Sequence, residues 1–90
     1  MLFMVIETFR DGDPGPVGER FRERGRMLPP GVHAHASWID PAGVRCYQLM
    51  EAETRAALEP WTQRWSDLVD FEIVAVVTSQ EYWAGGSPAR

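Results

Sequence analysis

The chain contains no lysine, and all nine of its basic residues are arginine. Schiff-base chemistry, covalent attachment of pyridoxal phosphate and a lysine-bearing phosphate loop are therefore excluded. Cys46 is the single cysteine, so neither an intrachain disulfide nor a cysteine-based zinc site can form. A lone thiol suits a reducing compartment, and a cytoplasmic location is expected. Positive charge is scarce as well: 13 acidic residues against nine arginines leave a net charge of −4, which argues against general nucleic-acid binding. Long apolar runs are also missing. The N-terminal one has no basic residues before it and is broken by Glu7, so neither a signal peptide nor a membrane span is expected.

Apolar content, by contrast, is high for so short a chain, with 44% of its 90 residues hydrophobic and four of them tryptophan. That suffices for one domain with its own core. From Trp61 to Val77 a helical period passes directly into a strand period. Leu58, Trp61, Trp65 and Leu68 form one stripe of a 3.6-residue helix, and Phe71 to Val77 is an almost unbroken β-rich run. A helix docking onto the sheet that its own following strand joins is the implied arrangement.

In chain order, Leu2 to Phe9 reads as a strand apolar on both faces, interrupted only by Glu7 and Thr8, as in the middle of a covered sheet. Asp11 to Gly15 form a turn, with Asp13 as N-cap of a helix that runs to about Arg24 and stops at Gly25. Val17 and Phe21 are its expected inward contacts. The charges at Glu19, Arg20, Arg22, Glu23 and Arg24 spread around it as a solvated face. Val32 to Ile39 and Val44 to Glu51 read as a hairpin closed by Asp40, Pro41, Ala42 and Gly43. Pairing Ile39 with Val44 sets Ser37 against Cys46, His35 against Gln48 and His33 against Met50 on one polar face. Thr54 caps the second helix, which Pro60 should kink. The last strand runs Asp70 to Thr78, and Ser79 to Trp83 suits one further helical turn. Residues 1–83 thus form the domain, and 84–90 are expected to be a flexible tail.

Strand, helix, strand, strand, helix, strand is the ferredoxin-like βαββαβ order, an α+β fold with a four-stranded antiparallel sheet and both helices on one face. The second face would then expose more apolar surface than a soluble monomer tolerates, and a two-fold homodimer with facing sheets removes the difficulty. The Met4-Val5-Ile6 start with Thr8-Phe9, the Pro29-Pro30-Gly31-Val32 loop and above all Arg64 to Val77 resemble a small bacterial family of uncharacterised proteins, a domain of unknown function in the dimeric α+β barrel superfamily. The resemblance covers about residues 1–83 and implies the fold and the dimer. It implies no mechanism. Relatives in that superfamily include monooxygenases of quinone-like substrates, haem-degrading enzymes, lactone isomerases and polyketide cyclases, and none of their functional residues carries over by motif.

Candidate site residues must therefore come from chemistry. His33 and His35, two apart on a strand, place both imidazoles on one face at roughly 7 Å, and their ordinary pKa suits proton transfer near neutrality. Facing Gln48, Cys46 and Ser37, they form a candidate catalytic pair over a ligand. The alternative is a polar strand face turned to water. A metal site would need a third ligand from Glu7, Glu51 or Glu72, and neither a metal nor a cofactor is assigned. Glu7 and Glu72 interrupt apolar strands on the face expected to point away from the helices. Buried there, they are candidate acids or bases; paired with Arg10 or Arg45, they are structural. Cys46 reads as a small buried hydrophobe. Three functions stay open: a homodimer that binds a small apolar or aromatic molecule, a cofactor-free isomerase, cyclase or monooxygenase using the histidines, and a structural or interaction module docking through Tyr82 and Trp83.

Overall fold

The computed structural model describes residues 1–85. Its elements are strand β1 (Leu2–Phe9), helix α1 (Gly15–Arg24), strands β2 (His33–Ile39) and β3 (Arg45–Glu51), helix α2 (Glu59–Gln63), strand β4 (Val69–Val76) and helix α3 (Ser79–Ala84). Short 3-10 turns at Arg10–Gly12 and Arg55–Leu58 precede α1 and α2. The strands form one antiparallel sheet in the order β2-β3-β1-β4, so β1, apolar on both faces, lies inside it. The other elements expected from the periodicities are present with ends displaced by a residue or two, but the second helix is shorter than its stripe implied: Leu58 lies in the 3-10 turn, α2 ends at Gln63, and Trp65 and Leu68 follow it in a turn. The tail expected over 84–90 lies outside the described residues after Gly85.

Burial along β1 alternates strictly, which separates the two faces of the sheet. Phe3, Val5, Glu7 and Phe9 point toward the helices; Leu2, Met4, Ile6 and Thr8 point to the open side. Cross-strand pairing extends both sets. Val5 stands opposite Gln48 and Ile73, and Glu7 opposite Cys46 and Phe71, whereas Met4 stands opposite Leu49 and Val74. The core gathers on the helix side, where Leu58, Trp61 and Trp65 descend onto Phe3, Val5, Met50 and Val69, with Trp61 edge-on to Phe71 at 5.6 Å. This is the stripe read from the sequence. Thr54 accepts a hydrogen bond from the Ala57 amide at 3.2 Å and so caps the turn that begins it.

Several local expectations need correction. Pro60 does not kink a continuous helix; it occupies the first turn of α2, where the chain changes from 3-10 to α-helix and no amide is required. Asp13 is displaced as N-cap by Pro14, although its Oδ1 still accepts from the Gly15 amide at 2.9 Å. Gly25 does end α1, at φ +66°. Phe21 does not seat inward but remains 44% exposed, and no residue of α1 is fully buried.

The hairpin register also differs. Asp40 Oδ1 accepts from the amides of Val44 and Arg45 at 2.9 and 3.0 Å, which lengthens the connection so that Ile39 pairs with Cys46 rather than Val44. Those bonds also hold the Asp40 carboxyl below its usual pKa, the Arg45 amide foremost. Further along, Ala34 pairs with Met50 and Ala36 with Leu49, leaving His35 as the extra residue of a β-bulge. Strand parity reverses there.

Candidate functional site

A cavity of about 320 Å³ lies between α1 and the helix-facing side of the sheet. Its walls are mostly apolar: Phe9, Val17, Phe21, Ile39, Trp61 and Trp65. Into it project Glu7, Gln48, Ser37, Cys46 and Arg26. The space exists because α1 spans the sheet without filling it: Val17 reaches the core's edge while Phe21 stays outside. Polar clasps hold α1 instead of a packed interface. The Arg20 guanidinium grips both Asp67 carboxylate oxygens at 2.8 and 2.7 Å and lies 5.5 Å from the centre of the Trp65 ring.

Glu7 is the chemical centre. Period-two alternation along β1 obliges it to share the face of Phe3, Val5 and Phe9, and it is only 5% exposed. Burial pushes its carboxyl up to about 7, although the hydrogen bond from Gln48 and the positive charge of Arg26 both act in the opposite direction. Gln48 Nε2 donates to Glu7 Oε2. The Gln48 Oε1 in turn accepts from Arg26 Nε at 3.0 Å, so a single side-chain amide separates the carboxyl from the guanidinium.

Arg26 is brought in by the loop after α1, where Gly25 and Met27 both take positive φ, +66° and +60°. That loop is pinned from the turn after α2: Trp65 Nε1 donates to the Arg26 carbonyl at 3.0 Å, and Arg64 Nη1 donates to the Met27 carbonyl at 2.5 Å. The Arg26 guanidinium lies 5.4 Å from the centre of the Phe21 ring. Ser37 Oγ and Cys46 Sγ are 3.4 Å apart on the same wall, and burial raises the Cys46 pKa, keeping it a thiol.

Of the residues singled out from the sequence, Glu7, Ser37, Cys46 and Gln48 thus converge. His33 and His35 do not join them. The bulge turns them to the open face, where His33 stands opposite Glu51 and His35 Nε2 lies 2.6 Å from Glu51 Oε1, a pair that lowers the Glu51 pKa. Glu72 also lies on the open face, opposite Ile6, exposed. Glu7 was expected there too and instead faces the helices. Arg10, considered as its partner, pairs with Asp70 at 3.0 Å. Among the described residues, no three or more His, Cys, Asp or Glu side chains gather as metal ligands would.

Residues 1–89 match the family described as Domain of unknown function (DUF3303). The chain belongs to that family. No curated protein and no solved structure matches it. Within this DUF3303 domain, the resemblance carried by Met4 to Phe9 and Arg64 to Val77 agrees with the match in pointing to a family of unknown function. Sequence reasoning missed one cavity residue of consequence, Arg26, because nothing in a Gly-Arg-Met loop marks an arginine that will reach a strand residue 22 positions later. The usable signal was Glu7, a carboxylate inside an otherwise apolar strand.

Proposed function

We propose that this chain is a homodimeric, ferredoxin-like domain that binds a small, flat, largely apolar molecule carrying one polar group, taken up beneath α1. The observation that carries this reading is Glu7, a carboxyl buried in the wall of a cavity lined mostly by aromatic and aliphatic side chains. An ionised carboxylate is costly to hold in such a place, and an apolar residue would pack the core better. The cavity's volume lies at the lower end of ligand sites, which run about 300–1,000 Å³. One or two fused rings fit it.

The assembly has support of its own. Counted from the opposite edge, the strand order is β4-β1-β3-β2, the order that two interleaved βαβ units produce. The open face carries Leu2, Met4, Ile6, Tyr47, Leu49 and Val76 only half buried, with Trp38 and Val74 exposed beside them. Charged residues lie around this surface: Arg45, Glu51, Asp70 and Glu72. A second copy of the same sheet, applied about a two-fold axis, covers it and closes a barrel. The cavity then lies on the outer, helix side of each subunit.

The test is ligand titration of the full chain with 2-naphthol and 2-tetralone, followed by ligand-observed NMR and by tryptophan fluorescence. Binding is expected, and Val17→Trp, which fills the space from α1, abolishes it. Absence of binding by either compound, or equal binding to the filled variant, refutes the reading.

A further inference from the structure

Glu7 and Arg26, both in the cavity lining, each retain unused hydrogen-bonding capacity. Gln48 engages Glu7 through Oε2, and no donor among the described residues engages Oε1. Arg26 is bonded through Nε alone: its Nη groups have no hydrogen-bond acceptor, and no carboxylate stands within ion-pair distance, among the described residues. Both side chains line the same cavity, with Gln48 fixing them relative to each other. A carboxylate oxygen and a cationic donor held beside one small apolar cavity are what removal of a proton next to a carbonyl requires. The base takes the proton, and the donor meets the charge that develops on oxygen.

We propose that the cavity is catalytic and enolises an apolar cyclic ketone, with Glu7 Oε1 as the proton-transferring group and the Arg26 guanidinium receiving the enolate oxygen. This rests on the ligand-binding reading above and adds the reaction to it. The step is internally balanced. The Glu7 carboxylate takes the proton from the carbon beside the carbonyl, the electrons of that C–H bond become the carbon–carbon double bond, and the carbonyl π pair moves to oxygen against Arg26. Return of the proton from the Glu7 carboxylic acid to the same carbon exchanges hydrogen. Return to a conjugated carbon shifts a double bond. Either outcome regenerates the carboxylate, with no oxidant, reductant or second substrate.

The surroundings favour this over simple retention of a ligand. The aromatic and aliphatic walls at Phe9, Phe21, Ile39, Trp61 and Trp65 accept a flat ring system, and Glu7 at their base is only 5% exposed. The other titratable groups facing Glu7 are Cys46 from β3, held as a neutral thiol, and Arg26 from the loop after α1; from β2 and β3 come the uncharged Ser37 and Gln48. Among the described residues that line the cavity, Glu7 is thus the one group that gains and loses a proton near neutrality.

The experiment follows exchange of the α-protons of 2-tetralone for deuterium by proton NMR in deuterated buffer, with the intact chain. The wild type accelerates exchange over buffer, and the rate rises with pH as Glu7 ionises, levelling above about 7. Glu7→Gln, an uncharged isostere that can keep the Gln48 contact, binds 2-tetralone yet loses about 100-fold or more of the exchange rate. Glu7→Asp, which keeps the carboxyl but withdraws it by one methylene, retains the pH profile at a reduced rate. Arg26→Gln lowers the rate by a similar factor to Glu7→Gln without abolishing binding. If 2-tetralone binds and the wild type exchanges it no faster than buffer, or if Glu7→Gln exchanges it as fast as the wild type, the catalytic proposal is overturned while the binding reading stands. If either 2-tetralone or 2-naphthol fails to bind, the binding reading fails first and takes this one with it.

Discussion

Replacing Glu7 by Gln should make the protein more stable, and the gain should depend on pH in a defined window. In the unfolded chain the carboxyl titrates near 4.5, whereas in the fold burial lifts it to about 7. Between those values the unfolded state releases its proton while the folded state keeps it, so ionisation favours unfolding. The sign is opposite to that of a salt-bridged carboxylate: stability is highest below the unfolded pKa and is lost as pH rises toward about 7. At 1.36 kcal/mol per pH unit the interval amounts to about 3 kcal/mol, a large part of the 5–15 kcal/mol that a whole domain has available. Asp40, Glu51 and Asp67 have lowered pKa values, and their contributions change below the window in which Glu7 acts. Urea denaturation of both proteins at one concentration, at about pH 5 and about pH 8, isolates the term. Glu7→Gln and wild type should lie close together at the lower pH, with the variant ahead by about 3 kcal/mol at the higher. An advantage of the same size at both pH values, or none at either, would refute the argument that Glu7 is held in the fold as a neutral acid.

Trp65→Ala should cost about 3–5 kcal/mol, because it empties the space between the turn after α2 and the sheet and removes the indole bond to the Arg26 carbonyl; a urea midpoint equivalent to less than about 1 kcal/mol of loss would show that the ring is dispensable. Met4→Lys places a charge at the middle of the open face, opposite Leu49 and Val74, and should convert a dimer into a folded monomer in sedimentation equilibrium at low micromolar concentration. A wild type that is itself monomeric there contradicts the sheet-to-sheet assembly. Replacing both His33 and His35 by Gln should leave the binding of 2-tetralone unchanged, since both lie on the face opposite the cavity. Loss of binding by that variant would move the site to the other side of the sheet.

Much of the fold was legible in the chain because it depends on residues close in sequence. The period-two run from Leu2 to Phe9, the stripe of Leu58, Trp61, Trp65 and Leu68, the Thr54 cap and the stop at Gly25 each express a local rule of geometry. The same locality marked Glu7 as unusual, since a carboxylate that interrupts an apolar strand stands out without any knowledge of its neighbours.

What pairing and packing decide was not legible. Alternation along β1 determines that Glu7 shares a face with Phe3, Val5 and Phe9, but which face the helices cover is settled only when Leu58, Trp61 and Trp65 dock. The side of His33 and His35 turns on one bulge, and a bulge is a property of two strands together: the carboxylate of Asp40 lengthens the turn, and the extra residue at His35 reverses the parity. Arg26 reaches Gln48 only because the loop after α1 is tied to Arg64 and Trp65 from a distant part of the chain. The sequence by itself determined the elements and the presence of a carboxyl in an apolar strand. The tertiary structure alone decided that this carboxyl, an amide and an arginine from three separate segments meet at one cavity, because their encounter depends on long-range registers that no local period encodes.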